Sequence, residues 1–248
     1  AVRAIELDDS LAEAHAALGL YLSVYSWNQP AAEREFRRAI ELNPNYPTAR
    51  QQFASYCLLG TGRFDEALAE ARRANELDRF SPVISADLAW ALFFARRYDE
   101  AIEQLQQTLL LDENFYLTRR YLAIVYHARG SYVEAAAEFR RALTLYDDPF
   151  SRALLAQTLA TLGQTGEARK IVRELEALSA QQYVPSSGLA LAYWALGEKD
   201  KAFTYLGKDI TERASRCVLY SVHPIFDDLR ADPRFAEAIR RVETAKLD

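Results

Sequence analysis

No methionine occurs among the 248 residues, and cysteine is limited to Cys57 and Cys217. Two cysteines cannot build a disulfide scaffold or a four-cysteine zinc site. They fit a reducing compartment, so a cytoplasmic protein is expected. Histidine occurs three times, at His15, His127 and His223. His15 and His127 have no cysteine, histidine or carboxylate three or four residues on, the helical spacing of a metal pair; His223 has only Asp227, a single carboxylate, so no metal is expected. Glycine (9) and proline (8) are scarce, and strand-like alternation is hard to find. Gly60-Thr-Gly62 lacks the third glycine and the Lys-Ser/Thr of a phosphate loop, and no Gly-x-Ser-x-Gly elbow occurs. No catalytic group or cofactor is therefore expected. No apolar run approaches the ~18 residues that span a bilayer. Thirty basic against 35 acidic residues give a net charge of −5, which lacks the basic excess of a nucleic-acid binder. A start without methionine or an apolar leader predicts a piece of a longer polypeptide.

What is present is a period. Ala32, Ala67, Ala101, Ala135, Ala168 and Ala202 are separated by 35, 34, 34, 33 and 34 residues. Twelve or thirteen residues before each stands another small residue: Gly19, Ala54, Ala89, Ala123, Ala156 or Ala190. Leucine or phenylalanine immediately precedes each of these. A further apolar residue follows each of the later alanines by four, from Phe36 to Leu206, and leucine follows five of them by ten, from Leu42 to Leu178. Apolar spacing inside each segment is helical, as in Ala135, Phe139, Ala142 and Leu143. Each period therefore reads as two helices, A and B. The small residues mark close backbone approach, and the large ones fill the layer between neighbours. Turn signals fall between A and B at Gly60–Gly62, Gly130, Gly163–Gly166 and Gly197, and prolines 44, 47, 82, 149 and 185 fall between units.

The period and segments such as Gly62-Arg-Phe-Asp-Glu-Ala67 and Ala39-Ile-Glu-Leu-Asn-Pro44 resemble the tetratricopeptide repeat (TPR). The resemblance implies an all-α, right-handed α-solenoid, a superhelix of helix-turn-helix repeats. Six units are expected at 12–46, 47–81, 82–115, 116–148, 149–182 and 183–215. The first two carry one extra residue in or near the A/B turn. Leu175 and Asp209 depart from the small residues found at Ala39, Ala74, Thr108 and Ala142. Residues 1–11 read as the end of a preceding helix B, so at least one more unit is expected upstream, with end-to-end self-association through the bared face. Residues 216–248 read as C-terminal capping helices, with prolines 224 and 233 at helix starts, Asp232 as N-cap, and an apolar stripe of Phe235, Ile239 and Val242. Arg240, Arg241 and Lys246 form its polar side. Phe226–Phe235 also resembles the closing segment of TPR arrays in multidomain bacterial signalling proteins, which carry N-terminal winged-helix, kinase or cyclase domains.

TPR arrays act as protein-interaction scaffolds through the concave face lined by helix A. Its slots map here onto Gln51, Ser55, Trp90, Phe93, Phe94, Arg120, Ile124, His127, Phe150, Gln157 and Trp194. The lysine/asparagine clamp of chaperone-tail binders is absent, since the corresponding slots hold Gln51/Ser55, Ala86/Trp90 and Arg120/Ile124. An aromatic groove with a central arginine suits a peptide with an apolar anchor and an acidic residue. The same aromatics could instead pack between units. Stacking should bring Trp90 and Phe94 beside Arg120 and His127. Alternatives are an arm acting on an N-terminal domain of the same polypeptide, or an enzyme with an unrecognised site. Arg37-Arg38, Arg72-Arg73 and Arg140-Arg141 read as a solvated convex face paired to Glu33, Glu70 and Glu138. His15 and Cys57 read as core residues.

Overall fold

The computed structural model describes residues 1–245, and Lys246 lies outside them. Every regular element among the described residues is helical. A short helix α1 (Val2–Leu7) precedes six helical hairpins. They are α2/α3 (Ala12–Val24, Gln29–Leu42), α4/α5 (Pro47–Gln52, Phe64–Leu77) and α6/α7 (Pro82–Phe94, Tyr98–Leu111). Then follow α8/α9 (Tyr116–Arg129, Tyr132–Leu145), α10/α11 (Pro149–Thr161, Thr165–Leu178) and α12/α13 (Ser186–Ala195, Lys199–Thr211). Two 3₁₀ segments, Ser215–Leu219 and Pro224–Ala231, lead into α14 (Pro233–Ala245). The chain forms two compact bodies, one ending at Leu111 and the other beginning at Asp112.

The small residues do what their spacing requires. All six alanines from Ala32 to Ala202 are fully buried, as are Ala54, Ala89, Ala123, Ala156 and Ala190. A Cβ added at Gly19 would stand 3.0 Å from Phe36 Cγ, so the glycine sets how closely α2 and α3 approach. The slot of Ala39, Ala74, Thr108 and Ala142 is also fully buried, and Leu175 and Asp209 occupy it without becoming exposed. The leucines ten residues after the alanines are different. Leu111 and Leu145 are exposed, so this register does not fill the layer between neighbours.

Each A helix turns into its B helix through one residue with positive φ, five positions before the alanine that starts the helix-B pattern. Four are glycines, at 62, 130, 163 and 197, and the other two are Trp27 (φ 55°) and Arg96 (φ 63°). At five of the six, the next amide donates to the carbonyl five residues back, as Arg97 N does to Leu92 O at 2.9 Å. That bond closes a Schellman cap and satisfies a carbonyl the helix end leaves open. In the first hairpin the corresponding bond, from Asn28 N to Leu22 O, spans six residues, which accommodates the extra residue within the turn. The second hairpin takes up its extra residue inside helix A, where Phe53–Leu58 winds as a π-helix.

A polar clamp recurs across the hairpins. His15 Nδ1 bonds Glu35 at 2.7 Å and Nε2 bonds Asp9 O at 3.1 Å. At the same slot, Arg50 donates to Glu70 (2.6 Å) and to Pro44 O (3.0 Å), and Arg119 donates to Glu138 (3.1 Å) and to Glu113 O (2.7 Å). Each side chain thus ties helix A to its own helix B and to the carbonyl six residues upstream. In the third hairpin Gln104 donates to Ser85 Oγ at 2.8 Å. Glu70 is therefore engaged by Arg50 rather than by Arg72-Arg73, and Arg73 pairs with Glu76 instead.

Candidate functional site

In the first body the helix-A face is built by α4, its π-helical continuation and α6. Asp87 Oδ2 accepts hydrogen bonds from Gln51 Nε2 and, at 3.2 Å, from Ser55 Oγ. Gln51 is buried and Ser55 half-buried, so both serve this inter-repeat bond. Trp90 stacks on Phe93 with ring centroids 4.9 Å apart and meets Phe94 edge-on at 5.6 Å. Phe93 also packs on Tyr98 and Phe94 on Phe64, which are residues of helix B. Phe93 and Phe94 are 0% and 1% exposed, so they are core residues and present no surface to a ligand. Trp90 is half-buried, so of these three rings it is the one within reach of a partner.

In the second body Asp148 caps α10, accepting from Ser151 N at 2.9 Å, from Ser151 Oγ at 2.7 Å and from the Tyr116 hydroxyl at 2.7 Å. Burial acts to raise the Asp148 pKa, but these bonds, helped by Arg120, hold the carboxyl below its ordinary value. Arg120 lies over the rings of Tyr116 and Tyr121 at 5.3 and 5.6 Å, with Nη1 3.7 Å from Asp148. His127 is hydrogen-bonded to Thr158 Oγ1 at 2.9 Å, and burial holds its imidazole down to about 4, so it stays neutral. Ile124, Phe150 and Gln157 are buried. Trp194 is half-buried against Phe203 and Lys199 of its own hairpin.

The burial on this face has an identifiable source. Helix α13 ends in a sixth Schellman-type cap, with Arg213 at φ 50° and Ala214 N donating to Asp209 O. The chain then turns back, and Pro224–Ala231 packs against α8. Arg216 of the first 3₁₀ segment places its guanidinium 4.0 Å over the Phe150 ring. Tyr220 donates to Asp209 Oδ2 at 2.6 Å and joins a buried ring cluster with Phe226 and Phe235. Residues 216–232 are thus not capping helices but a strap of 3₁₀ turns crossing the helix-A side of the second body. The capping helix proper is α14, which packs on α13 with Phe235 and Val242 buried. His223 caps the second 3₁₀ segment through Nδ1, and Asp232 accepts from Arg234 N at 3.1 Å.

The sequence places Asp147-Asp148 at a helix end, where capping explains them, and Asp148 is the N-cap of α10. Sequence reasoning missed Asp87 and Arg216, and Asp87 carried no signal beyond its repeat position. The signal for the strap was Asp209, the one acidic residue in a slot otherwise filled by small or apolar side chains.

Comparison with known proteins agrees with this architecture. Tetratricopeptide-repeat family patterns match residues 86–151, and also 53–73 and 149–174. Small glutamine-rich tetratricopeptide repeat-containing protein 2 of Mycosarcoma maydis is 34% identical over 94 residues, which are 38% of this chain and 26% of that protein. The chain thus spans about a quarter of that relative. Among solved structures, PilW, a type IV pilus biogenesis factor, superposes with a TM-score of 0.64 at 18% identity, over 94% of this chain and 98% of the other. PilF of Pseudomonas aeruginosa gives 0.59 at 21% identity, over 90% and 98%. A thermophilic TPR protein of Thermus thermophilus gives 0.55 at 19%, over 92% and 99%. These likenesses concern the fold. The chain thus carries tetratricopeptide repeats, and proteins built of such repeats generally act as protein-interaction scaffolds. No helix among the described residues is long and apolar enough to cross a membrane.

Proposed function

We propose that this chain is a non-catalytic scaffold whose helix-A face docks a peptide bearing an apolar anchor and an acidic residue. The supporting observation is a contrast between the two faces. On the helix-B side, charges are largely consumed by one another. Glu33 pairs with Arg37 and Arg63, Arg37 reaches Glu66, Arg140 reaches Glu167, and Arg169 pairs with Glu198. Each body taken by itself offers one docking group on its helix-A side, half-buried Trp90 in the first and the Arg120 guanidinium on its tyrosine rings in the second. Aromatic and arginine side chains of this kind anchor protein interfaces, and arginine grips a carboxylate through two parallel bonds.

The test is a partner captured with the chain and then titrated against variants by calorimetry. Trp90→Ala and Arg120→Ala should each weaken binding at least tenfold with helical content unchanged. The double variant Arg72→Ala, Arg73→Ala on the helix-B side should leave affinity within about twofold, as exposed charges contribute little. The opposite pattern would place the partner on the helix-B side and overturn the proposal.

A further inference from the structure

The strap brings a second arginine to the helix-A face. Arg216 is half-buried, and its guanidinium carbon lies 4.0 Å from the centre of the Phe150 ring. Among the described residues it has no hydrogen bond and no ion pair, although it carries five N–H donors. The ring itself accepts none of these donors in the plane of the guanidinium, so they stay available to an anion. The neighbouring carboxylate is already occupied, because Asp148 Oδ2 accepts from Tyr116 and twice from Ser151 while Arg120 approaches it at 3.7 Å. Asp209 is fully buried, and its Oδ2 is bonded to Tyr220. Two guanidinium groups thus meet the start of α10, Arg120 3.7 Å from Asp148 and Arg216 over Phe150 two residues on. Burial, and after it the charge of Arg120, pulls the Arg216 pKa below its ordinary value against the opposing pull of Asp148 and Asp209. Against burial, Tyr121, Tyr116 and Asp148 hold Arg120 itself above its ordinary value, so Arg216 is the cation of the two that lacks a close partner.

We propose that Arg120 and Arg216 form a seat for an oxyanion, with Phe150 as the platform that orients Arg216. The proposal rests on the groove reading above and specifies where the acidic group of a docked peptide sits. It makes the strap part of the binding site, because the array supplies Arg120 and the strap supplies Arg216. An acidic side chain and a phosphorylated residue share the required chemistry, so the two sources are separated by the probes.

The experiment uses the whole chain and small anions alone, independently of any peptide. Thermal unfolding is followed in sodium succinate, in sodium phosphate and in sodium chloride at matched ionic strength. A seat occupied at ten times its dissociation constant raises the melting temperature by about 3–6 °C, with a saturable concentration dependence. A larger rise in succinate assigns a carboxylate, and a larger rise in phosphate assigns a phosphorylated residue. Arg216→Gln and Arg120→Gln should each abolish the rise. In plain chloride, Arg216→Gln should melt within about 2 °C of the unsubstituted chain, since it removes an unpaired charge. Should Arg216→Gln not fold, Arg120→Gln decides alone. No rise over chloride, or a rise that survives either substitution, overturns the seat. That result leaves the groove reading standing if Trp90→Ala still costs affinity for the captured partner. Loss of the Trp90 effect with the anion response intact overturns the groove and keeps the seat.

Discussion

Replacing Arg50 by methionine keeps most of the aliphatic stem in place and removes the guanidinium that closes the second hairpin's clamp. Nε and Nη2 donate to Pro44 O at 3.1 and 3.0 Å, and Nη1 donates to Glu70 Oε2 at 2.6 Å. The side chains of the pair are only 14% and 23% exposed. An ion pair in open solvent is worth about 0.2–1 kcal/mol, whereas a hydrogen bond to a charged group contributes about 1.5–3 kcal/mol when shielded. One such bond plus the orphaned Pro44 carbonyl gives an expected loss of about 2–3 kcal/mol. For a chain of this size, that lowers the melting temperature by roughly 4–12 °C. Urea melts followed by circular dichroism on the unsubstituted chain, Arg50→Met, Glu70→Gln and the double variant should give a coupling energy above about 1 kcal/mol. Arg73→Met is the comparison, because its partner Glu76 lies three residues on along one helix and both side chains are about half exposed. Zero coupling between Arg50 and Glu70, with an equal loss in Arg73→Met, would refute the clamp.

Arg96 holds a left-handed conformation (φ 63°) at the slot where four other hairpins have glycine. Left-handed backbone costs a side-chain-bearing residue about 1–2 kcal/mol, and glycine returns about 0.5–1 kcal/mol of that through its unfolded-state freedom. Arg96→Gly should therefore stabilise by about 0.5–1 kcal/mol in urea melts. Gly188→Ala should destabilise by about 1–3 kcal/mol, because its new Cβ meets Ala153 Cβ at 2.8 Å and Phe150 at 3.1 Å. Gly166→Ala, with open space around it, should be neutral or stabilising in the same assay. His127 is held neutral with its pKa down at about 4 against an unperturbed 6.5. The stability this contributes is complete above pH 6.5 and is lost as the pH falls towards 4. Between pH 6.5 and 5, above the carboxylate range, His127→Gln should flatten the fall in unfolding free energy.

The fold was legible because it is written in small residues. Six alanines at 33–35-residue spacing admit few alternatives, and all six are fully buried. The site was less legible, for reasons visible at particular residues. Phe93 and Phe94 occupy helix-A slots, yet they turn onto Tyr98 and Phe64 of helix B and leave the face to Trp90. Whether a slot residue points to solvent depends on the volume of its neighbours, which periodicity does not encode. Glu70 stands close to Arg72-Arg73 in sequence, but its partner is Arg50, twenty residues away. Arg216 follows the last repeat and acquires its place only because Arg213 turns the chain and Asp209 receives Tyr220. A reading tied to the period stops where the period stops, and that is where the strap begins.

The polar clamps also govern how the array tolerates changes in length. His15 and Glu35 are twenty residues apart, as are Arg50 and Glu70, while Ser85–Gln104 and Arg119–Glu138 are nineteen apart. The difference is the extra residue of the first two hairpins, absorbed in one case by a turn and in the other by a π-helical stretch. In both cases the clamp still closes on its own helix B, so the next hairpin starts in phase. A length error is corrected inside the repeat where it arises and is not inherited by its successor. Drift of a single residue is thus survivable anywhere between a clamp and its partner. The same insertion between the clamp and the carbonyl six residues upstream has no such buffer.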